Sequence, residues 1–353
     1  MTPLESLLIR RIKANGPISL ADYMADCLLH PQHGYYTTRD PFGQGGDFTT
    51  APEISQMFGE LIGLCLAQSW LDQGAPARFT LAELGPGRGT LMADLLRATR
   101  GVPGFHAAAN VTLIEASAPL RTRQRASLGD HPAVWLDGPE TLPDAPLFLI
   151  ANEFFDALPI RQFTRHAQGW CETLVGVRDD HLAFGQSAPT GLGALAHRLA
   201  DTAPGDIVEI CSAATAITAQ VSTRIAARGG AALIVDYGGW QSRGDTLQAL
   251  RAHQFAPPLH APGTADLTAH VDFAALAQAA LPCRTTRLTP QGMLLERLGI
   301  TQRAARLAQN LTGAALQSHL AATRRLTEPT EMGNLFQALA IHPADQPAPP
   351  GFD

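Results

Sequence analysis

The residues with the most specific spacing for chemistry lie in the segment AELGPGRGTLMADLL, at positions 82–96. An apolar run comes first, and a helical pattern begins at Thr90. Between them stand three alternating glycines, Gly85, Gly87 and Gly89. Glycines let a ligand approach the backbone closely, and the start of a helix offers free N–H groups. The spacing predicts a ligand-binding turn between a strand and a helix.

The pattern of these glycines distinguishes between classes of ligand. A dinucleotide-binding turn has the pattern G-x-G-x-x-G, and Thr90 stands where the third glycine would be. The lysine of a phosphate-binding P-loop is also missing. The pattern is instead E-x-G-x-G-x-G, beginning at Glu83. It favours a nucleoside ligand without phosphates, of which S-adenosylmethionine is the common one, and we expect Glu83 to belong to this site.

Two acids at the ends of the next apolar runs fit a nucleoside. Glu115 ends the run TLIE, and Asp137 follows the run AVWL. A carboxylate at a strand end can accept hydrogen bonds from both ribose hydroxyls. Nicotinamide enzymes also have an acid there, so Glu115 does not identify the ligand, and a solvated carboxylate is the alternative. We expect Asp137 to lie on the adenine side.

A third set of polar residues follows the run PLFLIANE, in the segment ANEFFDALP at 151–159. In open α/β sheets, ligands bind outside the carboxyl ends of the strands. We therefore expect Asn152 to contact the cofactor and Glu153 and Asp156 to be carboxylates that hold the substrate. The alternative for both acids is a structural role, either in capping a helix or in stabilising the turn before Pro159.

The segment GGDFTTAPEISQMFGE at 45–60 combines flexible glycines with closely spaced polar residues. Ordering glycine costs backbone entropy, so such a loop either fills a tight turn or closes over a ligand. We expect it to close over the cofactor and the incoming side chain. Asp47 and Glu53 are then candidate catalytic groups, and Thr50 and Pro52 candidate cofactor contacts. A turn that only packs the N-terminal helices is the alternative.

His270, in the segment DLTAHVDF, is a candidate proton acceptor because the ordinary pKa of histidine is about 6.5. A structural hydrogen bond to a neighbouring aspartate is the alternative for this residue. We expect no metal site, because the five cysteines are scattered without a CxxC pair and suggest reduced thiols.

The elements that position these residues follow from composition and alternation. Of the 353 residues, 45% are hydrophobic and 16% are charged, which favours a globular core. The net charge of −6 argues against nucleic-acid binding. Apolar strands alternate with helices through the middle of the chain, which predicts an α/β fold with a parallel sheet covered on both faces. No run is long enough for a transmembrane helix, so we expect no membrane insertion.

The predicted organisation has an N-terminal helical region, a sheet domain in two pieces, an inserted α+β segment and a Pro-rich tail. The corresponding ranges are 1–75, which includes the loop 42–56; 76–158 with 230–340; 159–229; and 341–353. A single helix is expected from Pro52 to about Leu71, and another over 212–228. The tail is expected to be loose.

Several of these motifs together resemble the MidA family of class I methyltransferases. The motifs, in chain order, are GDFTTAPEISQMFGE, ELGPGRGTL, IEAS, ANEFFDALPIRQF, IVDYG, TLQALRAHQF and DLTAHVDFAAL. The resemblance spans roughly residues 5 to 340. It implies a Rossmann-like sheet with N-terminal helices and an inserted segment, and S-adenosylmethionine bound at Gly85, Gly87 and Gly89 with Glu115 on the ribose. The segment VEICSA departs from the family, with Cys-Ser where Ser-Pro is expected.

The activity that the resemblance implies is methylation of protein arginine. Mitochondrial members modify a subunit of respiratory complex I and are needed for its assembly. A guanidinium nucleophile calls for carboxylates that match its fork, and Glu153 and Asp156 are the candidates. Methylation of a small molecule, and an assembly factor that mainly binds a partner, are the alternatives; a nicotinamide oxidoreductase is a distant one. We expect a bacterial cytoplasm, with the mitochondrial matrix as the alternative.

Overall fold

The fold is described from a computed structural model over residues 1–38 and 49–352. The described residues divide into two compact units. The first contains residues 1–38, 156–214 and 239–272, and the second contains residues 49–155, 215–238 and 273–352.

Helices occur in both units, and several of them are single turns. In chain order they are α1 (Pro3–Asn15), α2 (Leu20–Leu29), α3 (Tyr35–Thr38), α4 (Ala51–Ile54), α5 (Gln56–Asp72), α6 (Thr90–Ala98), α7 (Phe105–Ala108), α8 (Ala118–Leu128), α9 (Ser212–Arg228), α10 (Phe273–Ala279), α11 (Gln291–Arg297), α12 (Ile300–Ala308), α13 (Gly313–Thr327) and α14 (Met332–Leu335).

Strands are also divided between the two units. In chain order they are β1 (Ile18–Ser19), β2 (Phe79–Leu84), β3 (Ala109–Ile114), β4 (Ala133–Leu136), β5 (Leu147–Asn152), β6 (Arg161–His166), β7 (Gly169–Arg178), β8 (His181–Gln186), β9 (Ile207–Ile210), β10 (Gly230–Gly239), β11 (Gln248–Arg251), β12 (Gln254–Ala256), β13 (Asp266–Thr268), β14 (Val271–Asp272), β15 (Arg284–Thr285), β16 (Thr289–Pro290) and β17 (Phe336–His342).

The second unit is built on a mostly parallel sheet. Strand β2 pairs in parallel with β3 and β5; β4 extends the sheet beside β3, and β10 extends it beside β5. Strand β17 is antiparallel to β10 and pairs in turn with β15 and β16. Every residue of β2 and β5 is buried, as expected for strands covered on both faces. The parallel pairing brings the carboxyl ends of β2, β3 and β5 to one edge.

Two glycines of α5 allow this helix to pack closely against α6. A Cβ at Gly59 would lie 2.8 Å from the Cβ of Asp94, and one at Gly63 would lie 2.7 Å from the Cγ of Leu95. Glycines four residues apart lie on one face of a helix, so α5 presents a smooth surface to α6. This close approach fixes the helix that follows the glycine turn.

The first unit is mainly antiparallel. Strands β1, β7, β6 and β9 form a sheet in that order, with β8 paired to the outside of β7, and β11 lies between β12 and β13 in a smaller sheet. Helices α1 and α2 bury Leu8, Tyr23 and Met24 in the core of this unit. Thr2 caps α1 through a capping box: its hydroxyl accepts a hydrogen bond from the N–H of Glu5, and the carboxylate of Glu5 accepts one from the N–H of Thr2.

The predicted α/β fold with its parallel sheet is confirmed, and so is the helix at 212–228. The prediction of one helix from Pro52 to Leu71 is wrong. Ser55 has extended backbone angles, φ −156° and ψ 134°, and its hydroxyl accepts a hydrogen bond from the N–H of Met57. It therefore ends α4 and caps α5.

The units also divide the chain differently from the predicted ranges. Residues 49–75 group with the sheet, and α9 from residue 215 groups with the sheet as well. The end of the chain is packed within the second unit, because Phe352 is only 9% exposed and the Sγ of Cys65 contacts the carbonyl of Pro350 at 3.3 Å. The loose tail that was expected from the prolines is absent over residues 341–352.

Neither residues 1–38 nor 49–352 contain a helix that is both long and apolar enough to cross a membrane. The same residues contain no group of three or more His, Cys, Asp and Glu side chains placed to hold a metal ion.

Candidate active site

The glycine turn joins β2 to α6 and is built on left-handed backbone conformations. Gly85, Gly87 and Gly89 have φ values of 61°, 52° and 82°, which side chains other than glycine rarely adopt. A Cβ at Gly85 would also lie 2.7 Å from the Cδ2 of Phe154. Glycine is therefore required at Gly85 for two reasons, the backbone angle and the packing of Phe154.

Glu83 helps to begin the helix that follows the turn. The N-cap of α6 is Gly89, which has no side chain to accept a hydrogen bond. The carboxyl group of Glu83 accepts one from the N–H of Met92 instead. Glu83 is 3% exposed, and burial raises its pKa to about 8, although the N–H of Met92 lowers it in part. At neutral pH most of this carboxyl group is protonated.

Glu115 follows β3 directly, and its carboxylate is held in place on both sides. Oε1 accepts a hydrogen bond from the N–H of Ser117 at 2.7 Å, and Oε2 accepts one from Nε2 of Gln124 at 3.2 Å. Burial raises the pKa of Glu115, and these donors together with Arg121 lower it in part. The sheet edge thus carries a partly buried carboxylate with a fixed orientation.

Asp137 lies beyond the end of β4 and forms an ion pair with Arg121. Its side chain is 89% exposed, whereas that of Arg121 is 20% exposed. Arg121 also donates to the carbonyl groups of Glu115, at 2.7 Å, and Leu136, at 3.2 Å. The guanidinium therefore joins the ends of β3 and β4, and Asp137 lies at the outer side of that junction.

Asn152 and Glu153 end β5 in an unusual backbone conformation. Glu153 has φ 51°, a left-handed angle that costs about 1–3 kcal/mol for a residue other than glycine. Its Oε1 accepts hydrogen bonds from the N–H of Ala51 at 2.9 Å and from Nδ2 of Asn152 at 3.1 Å. The chain thus maintains a carboxylate at the strand end despite the backbone strain.

Asp236 stabilises the turn after Glu153. Its Oδ2 accepts hydrogen bonds from the N–H groups of Phe154, at 3.2 Å, and Phe155, at 2.9 Å, and its Oδ1 accepts one from Tyr237 at 3.0 Å. Asp236 is fully buried. Charge-assisted hydrogen bonds of this kind are stronger than neutral ones, so they offset part of the strain at Glu153.

The described part of the predicted closing loop lies on the glycine turn. Oε1 of Glu53, in α4, accepts a hydrogen bond from the hydroxyl of Thr90 at 2.6 Å, and its Oε2 lies 4.0 Å from Nη1 of Arg88. Thr50 and Pro52 are buried beside it at the start of α4. These contacts join α4 to the turn, in agreement with the expected position of Glu53, Thr50 and Pro52; their roles toward a ligand stay predictions.

The remaining predicted residues are Asp47, Asp156 and His270. Asp47 is outside the described residues. Asp156 and His270 belong to the first unit, in which the carbonyl of Asp156 accepts a hydrogen bond from the N–H of Ala269 at 2.9 Å. The hydroxyl of Tyr36 donates a hydrogen bond to Oδ1 of Asp266 at 2.8 Å. Burial raises the pKa of Tyr36, and the nearby carboxylates of Asp266 and Asp156 raise it further. Desolvation lowers the pKa of His270.

Three buried polar atoms at the carboxyl ends of β2, β3 and β5 indicate that this edge holds a ligand. They are Oε2 of Glu83, Oγ of Ser117 and Oδ1 of Asn152, and within residues 1–38 and 49–352 they have no hydrogen-bond partner. Buried polar groups in native proteins are normally paired. Carboxylates at the same edge disfavour a phosphate and favour a cation. The residues therefore fit S-adenosylmethionine, which has a ribose diol, an adenine and a positively charged sulfonium.

Asp236 and Gln124, which contact the turns at this edge, are not among the residues predicted from the sequence. A signal for Gln124 is present, since it lies between Leu120 and Leu128 at the four-residue spacing of the buried face of α8. A glutamine at a position that helical periodicity assigns to the core needs partners.

Comparison with known proteins identifies a family over most of this site. A family model described as "Putative S-adenosyl-L-methionine-dependent methyltransferase" matches residues 61–292, which is more than half of the chain. The matched residues include the glycine turn, Glu115 and Glu153.

Relatives and solved structures match almost the whole chain. Proteins of Rattus norvegicus and Homo sapiens, each named "Protein arginine methyltransferase NDUFAF7, mitochondrial", are 36% identical over 97% of this chain and cover 85% and 84% of their own lengths. A Burkholderia thailandensis protein described as a "likely methyl transferase", solved bound to S-adenosyl-homocysteine, is 30% identical with a TM-score of 0.86, covering 99% of this chain and 94% of its own. A native structure from the same organism has a TM-score of 0.81 at 30% identity and covers 99% and 93%.

Proposed function

This chain belongs to the family of S-adenosylmethionine-dependent methyltransferases, and we propose that it transfers the methyl group to an arginine side chain of a protein. The cofactor is S-adenosylmethionine. Arginine as the acceptor is supported by the mitochondrial relatives, which are named protein arginine methyltransferases. They are 36% identical to this chain over 97% of its length.

The observation that carries the proposal is the carboxylate of Glu153. It stands at the carboxyl end of β5 in a left-handed conformation with φ 51°, next to the glycine turn. Strained residues that are maintained by their surroundings cluster at active sites. Here Asn152, Ala51 and Asp236 provide those surroundings through four hydrogen bonds, which orient the carboxylate and the turn after it.

The chemistry requires a carboxylate in such a position. The bound cofactor supplies an electrophilic methyl group on a sulfonium, so the C–S bond breaks with its electron pair on sulfur while a C–N bond forms. A guanidinium has a pKa of about 12.5 or above, and its nitrogen must be oriented and must lose a proton. We propose that Glu153 pairs with the guanidinium, fixes the attacking nitrogen and accepts that proton. Asp156 and Asp47 are proposed as further carboxylates and His270 as a second proton acceptor.

The cofactor contacts are proposals of the same kind. Gly85, Gly87 and Gly89 would receive the ligand against their backbone. Glu115 would accept the ribose hydroxyls, and Asp137 would lie on the adenine side. Support comes from the buried polar atoms of Glu83, Ser117 and Asn152 at that edge. Thr50 and Pro52 are proposed to cover the ligand from α4.

The identity of the protein substrate is a finer proposal. We propose a subunit of respiratory complex I, on the basis of the resemblance to the MidA family. The compartment is proposed as the bacterial cytoplasm, with the mitochondrial matrix as the alternative; the animal relatives are named mitochondrial. No nucleic-acid partner is expected from the net charge of −6.

Glu153→Gln tests the role of this carboxylate. The amide can still accept the hydrogen bond from Ala51, so the turn and the cofactor site should persist. Because the amide neither carries charge nor accepts the proton, we expect transfer to protein to fall by about 100-fold or more. Affinity for S-adenosylhomocysteine should change only a few-fold. The measurements are transfer of labelled methyl to protein and calorimetric titration with S-adenosylhomocysteine.

A matched control is Glu140→Gln, an exposed acid in the same unit, which should leave both quantities unchanged. Undiminished transfer by the Glu153 variant would remove Glu153 from the mechanism. A parallel loss of transfer and of cofactor affinity would show that Glu153 serves binding instead.

A further inference from the structure

We propose that Gln124 is a positioning residue for the cofactor, because one buried side chain amide fixes both the glycine turn and the ribose carboxylate. The inference rests on the S-adenosylmethionine dependence of the family and on the proposed ribose contact of Glu115. It does not depend on arginine being the acceptor, so its deciding tests measure cofactor binding.

The amide of Gln124 connects two segments that the chain order separates. Its Nε2 donates to the carbonyl of Gly87 at 2.8 Å and to Oε2 of Glu115 at 3.2 Å. Gly87 is the middle glycine of the turn after β2, and Glu115 follows β3. The distance between the turn and the carboxylate is therefore fixed through a single planar group.

A third contact fixes the orientation of that amide. Oε1 of Gln124 accepts a hydrogen bond from Nε1 of Trp135, on β4, at 2.8 Å. The oxygen and nitrogen of a glutamine amide are assigned by their partners. Here the indole N–H can only donate, whereas the carbonyl of Gly87 and the carboxylate of Glu115 can only accept, so the amide has one consistent orientation. Trp135 thus prevents the amide from rotating away.

The surroundings leave Gln124 no freedom to move. It is 0% exposed, and a Cβ added at Gly89 would lie 3.2 Å from its Cα, so α8 packs directly against the turn. A polar group in such a position is costly unless every hydrogen bond is made. An apolar residue would continue the face of Leu120 and Leu128 without that cost. A glutamine at this buried position is explained if its amide positions the glycine turn and Glu115.

The effect on Glu115 is the step that reaches the cofactor. Burial raises the pKa of Glu115 and so favours its protonated form. A protonated carboxyl group has fewer acceptor sites than a carboxylate. The hydrogen bond from Gln124 lowers that pKa and leaves the other side of the carboxylate for a diol. Without it, Oε2 of Glu115 loses this donor, while Oε1 keeps the hydrogen bond from the N–H of Ser117.

The first test is Gln124→Met, which keeps the size of the side chain and removes the amide. A hydrogen bond to a charged group is worth enough that we expect affinity for S-adenosylhomocysteine to fall by about tenfold or more. The KM for S-adenosylmethionine should rise accordingly, while the rate at saturating cofactor changes little. Calorimetric titration and initial-rate kinetics measure the two quantities.

Two control variants separate positioning from general damage. Ser127→Ala removes another hydrogen bond from the same helix to the same turn, to the carbonyl of Arg88 at 2.7 Å. Gln291→Met removes a fully buried amide remote from the turn, whose Nε2 donates to the carbonyl of Leu326 at 3.0 Å. Both should bind S-adenosylhomocysteine within a few-fold of wild type. An equal loss in either control would overturn the specific role of Gln124.

A double-mutant cycle with Glu115→Gln tests whether Gln124 acts through Glu115. If it does, the double variant loses less affinity than the product of the two single losses, because part of the effect of Gln124 passes through Glu115 and the rest through Gly87. If the two losses multiply, Gln124 acts independently of Glu115 and the proposal fails.

Gln124→Glu adds a readout that a purely structural role would not alter. Two facing carboxylates repel at neutral pH, but one shared proton restores a donor toward Oε2 of Glu115. Affinity of this variant for S-adenosylhomocysteine should therefore rise as pH falls toward the ordinary carboxyl range. Wild type should show no such gain, and a variant with the pH profile of wild type would contradict the proposal.

Discussion

Glu83, Glu115 and Glu153 follow or end three neighbouring strands, yet each carboxyl group has different partners. Glu83 accepts from the N–H of Met92 and supports α6; Glu115 is held by Ser117 and Gln124; Glu153 is held by Ala51 and Asn152 in a strained conformation. Position at a strand end therefore does not define a role. The donors around each carboxyl group differ accordingly, and we propose that they suit Glu83 to supporting the fold, Glu115 to the cofactor and Glu153 to the substrate.

Glu83 should make the stability of the protein depend on pH. Burial raises its pKa from 4.5 to about 8, so the folded state binds more protons than the unfolded state between these values. Stability therefore falls as pH rises through that interval, by at most about 1.4 kcal/mol per pH unit from this group. Glu83→Gln keeps an acceptor for Met92 and cannot ionise, so it should gain stability relative to wild type as pH rises.

Urea unfolding of both proteins across this interval measures the effect. Parallel stability curves for wild type and Glu83→Gln would show that Glu83 is ionised in the folded protein at neutral pH.

At the scale of elements, the site combines two kinds of segment. A strand, a turn and a helix that are consecutive in sequence form its centre, and segments distant in sequence contact them. The glycine turn was predictable because its spacing is local: a strand, alternating glycines and a helix start follow one another from Glu83 to Thr90. The acids at strand ends were predictable for the same reason. Their partners were not, since Asp236 reaches Phe154 and Gln124 reaches Gly87 only after the sheet forms.

The break at Ser55 shows the same limit. Apolar spacing from Ile54 onward predicted one helix, but the chain turns at Ser55 so that Ala51 and Glu53 contact Glu153 and Thr90. The spacing of apolar residues indicates which residues are buried. Because α4 and α5 both bury their apolar residues, that spacing does not reveal the turn between them. Tertiary hydrogen bonds decide the conformation there.

Gly85→Ala tests the packing of the turn, and Gly129→Ala is its matched control. Both positions have a positive φ, 61° and 58°, so both variants should lose about 1 kcal/mol of stability or more, and Gly129→Ala should lose the larger amount because its ψ of −129° lies outside the left-handed helical region. A Cβ at Gly85 meets Phe154 at 2.7 Å, whereas one at Gly129 has no heavy atom within 4 Å. We therefore expect affinity for S-adenosylhomocysteine to fall by about tenfold or more in Gly85→Ala only.

Titration and urea unfolding of the two variants measure these quantities. Equal cofactor affinity in Gly85→Ala, Gly129→Ala and wild type would mean that the ligand does not approach this turn.

At the scale of the whole molecule, the second unit depends on contacts between distant parts of the chain. Glu60 of α5 accepts hydrogen bonds from Arg97 of α6 at 2.5 Å and from Arg303 of α12 at 2.6 and 2.9 Å. The side chain of Glu60 is 4% exposed, whereas those of Arg97 and Arg303 are 38% and 36% exposed. It joins the helix beside the glycine turn to a helix near the end of the chain. The motifs revealed the family and the fold class, but not this pairing or the packed end of the chain.

The most direct measurement of the central claim follows the methyl group. The protein is incubated with methyl-labelled S-adenosylmethionine and a cell extract, and acid-insoluble protein is separated from soluble metabolites. The proposed function predicts label in a discrete protein band, recovered as methylated arginine after hydrolysis, and absent when Glu153→Gln replaces the wild type. Label confined to the soluble fraction would contradict it and would indicate a methyltransferase of small molecules.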